Sequence, residues 1–139
     1  MTELDIQKTL FDAFNTLNEF SGIEFIKDNV AYLNKPFTVP SSKRWFELNI
    51  IADRPETTAL MNGAPERWNG FLQVDICTPL NKGEDEAGTK YEWLSRLFSR
   101  GKMFGPVVIK SCYIAHRESE SDHYRMVVRI EFTADLNID

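Results

Sequence analysis

Residues 68–79 read WNGFLQVDICTP. Alternate positions Trp68, Gly70, Leu72, Val74 and Ile76 are apolar or small, and the positions between are Asn69, Phe71, Gln73, Asp75 and Cys77. A period of two is the mark of a strand with one face in a core. The other face is mixed, with a carboxylate at its centre. Asp75 is either a working acid in an active site or part of a wall that faces another protein.

The segments on either side repeat the pattern. RWFELNIIA, residues 44–52, sets Phe46, Leu48, Ile50 and Ala52 against Trp45, Glu47, Asn49 and Ile51. HYRMVVRIEFTAD, residues 123–135, sets Tyr124, Met126, Val128, Ile130 and Phe132 against Arg125, Val127, Arg129, Glu131 and Thr133. PVVIKSCYIA, residues 106–115, is expected to place Val107, Ile109 and Tyr113 on one face, with Lys110 and Ile114 on the other. RESESD, residues 117–122, reads as a solvated turn that joins these last two strands as an antiparallel pair.

Two stretches carry helical spacing. In residues 3–19, Ile6, Leu10, Phe14 and Leu17 share a face, Thr2 is a candidate N-cap, and Ser21-Gly22 stops the run. In residues 84–100, Ala87, Tyr91, Leu94, Leu97 and Phe98 form the apolar side. Acids open that helix, Arg96 and Arg100 close it as the dipole favours, and Gly101 follows. Val30–Leu33 is a candidate short strand, and PFTVPSSK, residues 36–43, carries two prolines and reads as an extended connection. Residues 53–67, DRPETTALMNGAPER, are too long for a tight hairpin. Leu60 and Met61 in their middle are unusual for a bare linker, so contact with another surface is expected there.

The element order is α-β-β-β-α-β-β. It predicts an α+β fold: one domain over 1–139, a two-layer sandwich of a mostly antiparallel four- to five-stranded sheet with two helices on one face. The second sheet face then has no helix to cover it. It would carry large aromatics and aliphatics among Glu47, Asp75, Lys110, Arg125, Arg129 and Glu131, a mosaic typical of an interface.

Composition agrees with a single globular chain. It has 139 residues, 42% hydrophobic and 27% charged, with a net charge of −5. No basic excess points to nucleic acid. The first residues, MTELDIQKTLFDAF, carry acids and no continuous apolar stretch, so neither a signal peptide nor a membrane anchor is expected. Cys77 and Cys112 form no CxxC, and a reduced setting is expected.

No set of residues assembles an active site. His116 and His123 flank the polar turn and could pair with Glu118 or Asp122 as an acid/base or hold a metal, but exposed turn histidines are the plainer reading. The cysteines lie in strands, where a thiol is usually a small core residue. GEDEAG, residues 83–88, lacks calcium-loop spacing and reads as a charged first helical turn. SRGKMFGP, residues 99–106, follows a helix, whereas a phosphate loop precedes one. Asp75 is expected to pair with Lys110, Arg125 or Arg129 across the sheet. It reads as part of a wall.

The layout over residues 3–135 resembles the phage tail-terminator family of long, non-contractile-tailed phages and related small phage proteins of undefined function. The resemblance is carried by the N-terminal helix, PFTVP, RWFELNI, WNGFLQVDICTPLNKG, YEWLSRLF, GPVVIKS and YRMVVRIEFTAD. Trp68, Gly70, Gly83 and Phe98 match the family's W-x-G strand start, its glycine turn and its helix-ending phenylalanine, while the 53–67 loop is longer than the family pattern.

The resemblance implies a structural protein rather than an enzyme, with no cofactor, no metal and no membrane. It would form a ring, a hexamer in the family, that caps the tail tube, stops its polymerisation and offers a surface to the head's neck proteins. DNA would pass through without specific binding. The chain would be assembled in the host cytoplasm into the virion tail, and could stay monomeric until a tube templates it. The interface would draw on Trp45, Glu47, Phe71, Asp75, Lys110, Arg125, Arg129 and Glu131, with Leu60 and Met61 from the loop. Two alternatives stand beside it: a head–tail connector or neck protein, and a small α+β enzyme or ligand-binding domain using the histidine turn.

Overall fold

The computed structural model describes residues 3–16, 30–32, 36–40, 43–53, 56–57, 66–81 and 85–136. The elements run α1 (Glu3–Asn15), β1 (Val30–Tyr32), β2 (Trp45–Ala52), β3 (Glu56–Thr57), β4 (Glu66–Thr78), α2 (Asp85–Leu97), β5 (Met103–Phe104), β6 (Val107–Ser119) and β7 (Tyr124–Leu136). All the strands belong to one sheet, ordered β1-β2-β4-β7-β6-β5, with β3 paired to β4 off this path.

The expected two-layer sandwich on a four- to five-stranded, mostly antiparallel sheet is overturned. The path has six strands, β1 runs parallel to β2, and the sheet is therefore mixed and curls into a half-barrel. Three strands of thirteen residues each, β4, β6 and β7, accumulate the right-handed twist that bends such a sheet. β4 also divides its edge: its C-terminal part pairs with β2 and its first residues with β3. α1 reaches both ends of the strand path, lying against β5 and stacking Phe11 on Tyr32 of β1 with ring centroids 5.1 Å apart.

The core follows the period-two pattern. Strands β2, β4 and β7 stay in unbroken register, so that Phe46, Ile76 and Met126 form one rung and Leu48, Val74 and Val128 the next. These residues form one buried cluster with Ile6, Leu10 and Phe14 of α1 and Ala87, Leu94 and Leu97 of α2. Phe14 and Phe46 meet edge to face at 5.4 Å. Each such aromatic contributes about 1.5–3 kcal/mol by leaving water. Gly70 is required where β4 passes β2: a Cβ there would lie 2.6 Å from the Ile51 carbonyl oxygen.

Strand β6 departs from the expected alternation. Register shifts lie between Ile109 and Ser111 and between Ile114 and His116. Val107 and Ile109 therefore face the core, but so do Cys112 and Ile114, while Tyr113 sits opposite Arg129 on the outer face. The expected placements of Tyr113 inward and Ile114 outward are both reversed, because a bulge adds one residue and flips the parity beyond it. Lys110 is the inserted residue and is exposed. The hairpin is also longer than expected: Arg117–Ser119 continue β6, and the turn closes with the Glu120 amide donating to the His123 carbonyl at 2.8 Å.

Candidate functional site

Register places the outer-face residues in rows across the sheet. From one end they are Trp45–Cys77–Arg125–Glu118, Glu47–Asp75–Val127–His116, Asn49–Gln73–Arg129–Tyr113 and Ile51–Phe71–Glu131–Ser111. The first two rows and the last two behave differently.

The first two rows close on themselves around Arg125. Its guanidinium donates to Asp75 at 2.6 Å and to Glu47 at 2.7 Å, and its Nε lies 3.4 Å from Glu120. The Trp45 indole N–H donates to Glu47 at 3.1 Å, and Gln73 donates to Asp75 at 3.3 Å. The His123 ring packs at a tilt against Trp45, with centroids 4.7 Å apart, and lies 2.7 Å from Asp122. Trp45 is only 3% exposed as a result.

The carboxylates respond in opposite directions. Burial pushes Asp75 up, and the hydrogen bond from Arg125 offsets this only in part. Burial pushes Glu47 the same way, but the bonds from Arg125 and Trp45 outweigh it and hold it below its ordinary value. The difference follows exposure: the Asp75 side chain is 12% accessible and that of Glu47 40%.

The last two rows stay open. Ile51 is 42% and Tyr113 37% exposed. The Arg129 guanidinium lies over the Phe71 ring, 4.8 Å from its centroid. Its Nε is buried without an acceptor, and among the described residues Arg129 has no ion pair. Glu131 accepts the Tyr113 hydroxyl at 3.1 Å and forms no ion pair with Arg129.

The expected interface residues are thus divided. Phe71, Arg129 and Glu131 share an open patch; Trp45, Glu47, Asp75 and Arg125 form an internal network; Lys110 sits on a bulge. Leu60 and Met61 lie outside the described residues. The sequence reading missed Tyr113, which only the bulge brings into the patch. It also missed Lys90. This side chain of α2 is buried, with its ammonium 5.4 Å from the Phe46 ring and 3.7 Å from Glu86, and burial lowers its pKa.

No group of three or more metal-ligating side chains occurs among the described residues. Burial pushes the Cys77 thiol up to about 12 and Cys112 to about 11, so neither is a thiolate near neutral pH. His116 faces Glu118 at 3.3 Å on an exposed strand end. His123 is not the exposed turn residue that the sequence suggests; its side chain is 12% accessible against Trp45. Residues 99–106 form the β5–β6 hairpin, with Gly101 and Gly105 at positive φ. Among the described residues, no helix is long and apolar enough to cross a membrane.

Comparison with known proteins places this surface in context. A family model described as "Phage tail terminator protein" matches residues 7–132. No curated protein matches the chain in sequence. A solved structure 16% identical to the chain aligns over 96% of each chain with a TM-score of 0.63, a likeness of fold alone.

Proposed function

We propose a capping role for this chain from a firm premise: it belongs to the phage tail terminator protein family, which makes it a structural component of a phage tail. Copies of it form a ring, hexameric by family resemblance, on the last ring of the tail tube. The ring stops tube polymerisation, offers its free surface to the head's neck proteins, and lets DNA through without gripping it. Assembly in the host cytoplasm precedes incorporation into the virion.

The observation that supports ring formation is the open half of the outer sheet face. A patch with Ile51, Phe71, Arg129 and Tyr113 combines apolar area with an unpaired cation, as the cores of interfaces do. A cyclic ring needs such a patch to meet a different one on the neighbour. The net charge of −5 suits a passage for DNA, since a tight grip needs many phosphate-neutralising cations.

The test mixes purified chain with tail tubes and reads tube length by electron microscopy and chain mass by light scattering. Tubes of fixed length carrying a ring-sized mass are expected. Tubes that keep growing with no chain on their ends would overturn the proposal.

A further inference from the structure

We propose that Arg129, laid over Phe71, docks on the Asp85–Glu92 stripe of α2 in a second copy of this chain. The inference rests on the ring reading and names the two surfaces that meet.

Among the described residues Arg129 has no acceptor. The Phe71 ring lies 4.8 Å beneath its guanidinium, and its buried Nε has no partner. Its same-face neighbours are already engaged. Glu131 accepts the Tyr113 hydroxyl, and Gln73 donates to Asp75. The covered Nε is out of reach of an incoming group, so a carboxylate from outside would meet the guanidinium's terminal amino groups, which have no acceptor among the described residues. The planar guanidinium suits a two-point contact with such a group, and its seat on the Phe71 ring reduces the freedom it loses on binding.

The acceptor has its own evidence. α2 carries Asp85 and Glu92 two turns apart, and neither has an ion pair among the described residues. Gly88 stands between them, and a Cβ added there would meet nothing within 4 Å. With Thr89, Ile114 and Arg117 these residues line a groove of about 410 Å³. Two other helix acids are less available: Glu86 is held by Arg44 and Asp12 by Lys8.

The two surfaces lie on opposite sides of the sheet. Arg129 is on the outer face, and α2 packs on the inner one through Leu94 and Leu97. That arrangement lets each copy offer a cation to one neighbour and acids to the other, as a head-to-tail ring requires.

The test measures ring assembly on tail tubes by light scattering for wild type, Arg129→Gln, Glu92→Arg, and Arg129→Glu combined with Asp85→Lys and Glu92→Arg. Circular dichroism checks each fold. Arg129→Gln and Glu92→Arg should each weaken assembly by about tenfold or more, and the combined charge swap should recover much of the loss. Folded Arg129→Gln that assembles like wild type would overturn the inference and leave the ring standing. Two weakened single variants with no recovery in the swap would overturn α2 as the acceptor. A wild type that never associates, even on tubes, would remove the ring reading itself.

Discussion

Arg125 and Arg129 lie four residues apart on β7 and point to the same side of the same sheet, yet their surroundings are opposite. Arg125 gathers Glu47, Asp75 and Glu120 and is sealed by Trp45 and His123. Arg129 has one aromatic ring beneath it and, among the described residues, no carboxylate partner. The hairpin turn at residues 120–123 accounts for much of this contrast. It brings Glu120 and His123 over one end of the face and leaves the other end open. A charged residue in a strand therefore says little about its role until the covering elements are known.

The largest effect should separate the two at the level of folding. Arg125→Met leaves Asp75 buried without its cation and Glu47 beside it. A loss of about 3 kcal/mol in urea unfolding is expected, because breaking a buried pair strands a charge. Trp45→Phe removes the indole N–H bond to Glu47 and part of the buried ring volume, and about 1–2 kcal/mol is expected by the same measurement. Arg129→Leu should change monomer stability by no more than about 0.5 kcal/mol while impairing assembly. If Arg129→Leu unfolded the chain as Arg125→Met does, the contrast between the two ends would fail.

The smallest effect is in the pH response. Glu47 is held below its ordinary 4.5, so its stabilisation is present above that value and is lost as pH falls through the lowered pKa. Asp75 is raised above its ordinary 3.8, so the folded state takes up its proton first and gains relative stability as pH falls through that window. The two oppose each other near pH 4. Asp75→Asn should therefore lose stability more steeply on acidification than wild type, and Glu47→Gln less steeply, by thermal unfolding across pH 3–6. Equal slopes in all three proteins would mean that Arg125 does not distinguish its two carboxylates.

Much of this was legible in the residues. The alternation in 44–52, 68–79 and 123–135 put Phe46, Leu72, Val74, Ile76, Met126 and Val128 in the core, and the structure buries all of them. Strands in unbroken register keep their parity, so the pattern transfers directly to faces. The bulges in β6 were not legible. A bulge is set by how a strand fits a curved neighbour, and its residues carry no distinctive pattern. That is why Tyr113 and Ile114 were exchanged. β1, at three residues, is too short to show a period, and its parallel pairing with β2 depends on contacts remote in sequence. The mixed half-barrel was missed for the same reason.

The sequence by itself determined two amphipathic helices, the long strands, their inward faces and a mosaic outer face. It also carried the resemblance to the phage tail terminator family, whose model matches residues 7–132. These are local properties, fixed by side-chain spacing along the chain. Only the tertiary structure decided which outer-face charges satisfy one another. Asp75 pairs with Arg125 at the sealed end of the outer face, and Arg129 lies over Phe71 at the open end. Those partners come from strands and a turn that meet only after the sheet has curled, so their distances are set by the fold and by no spacing in the chain.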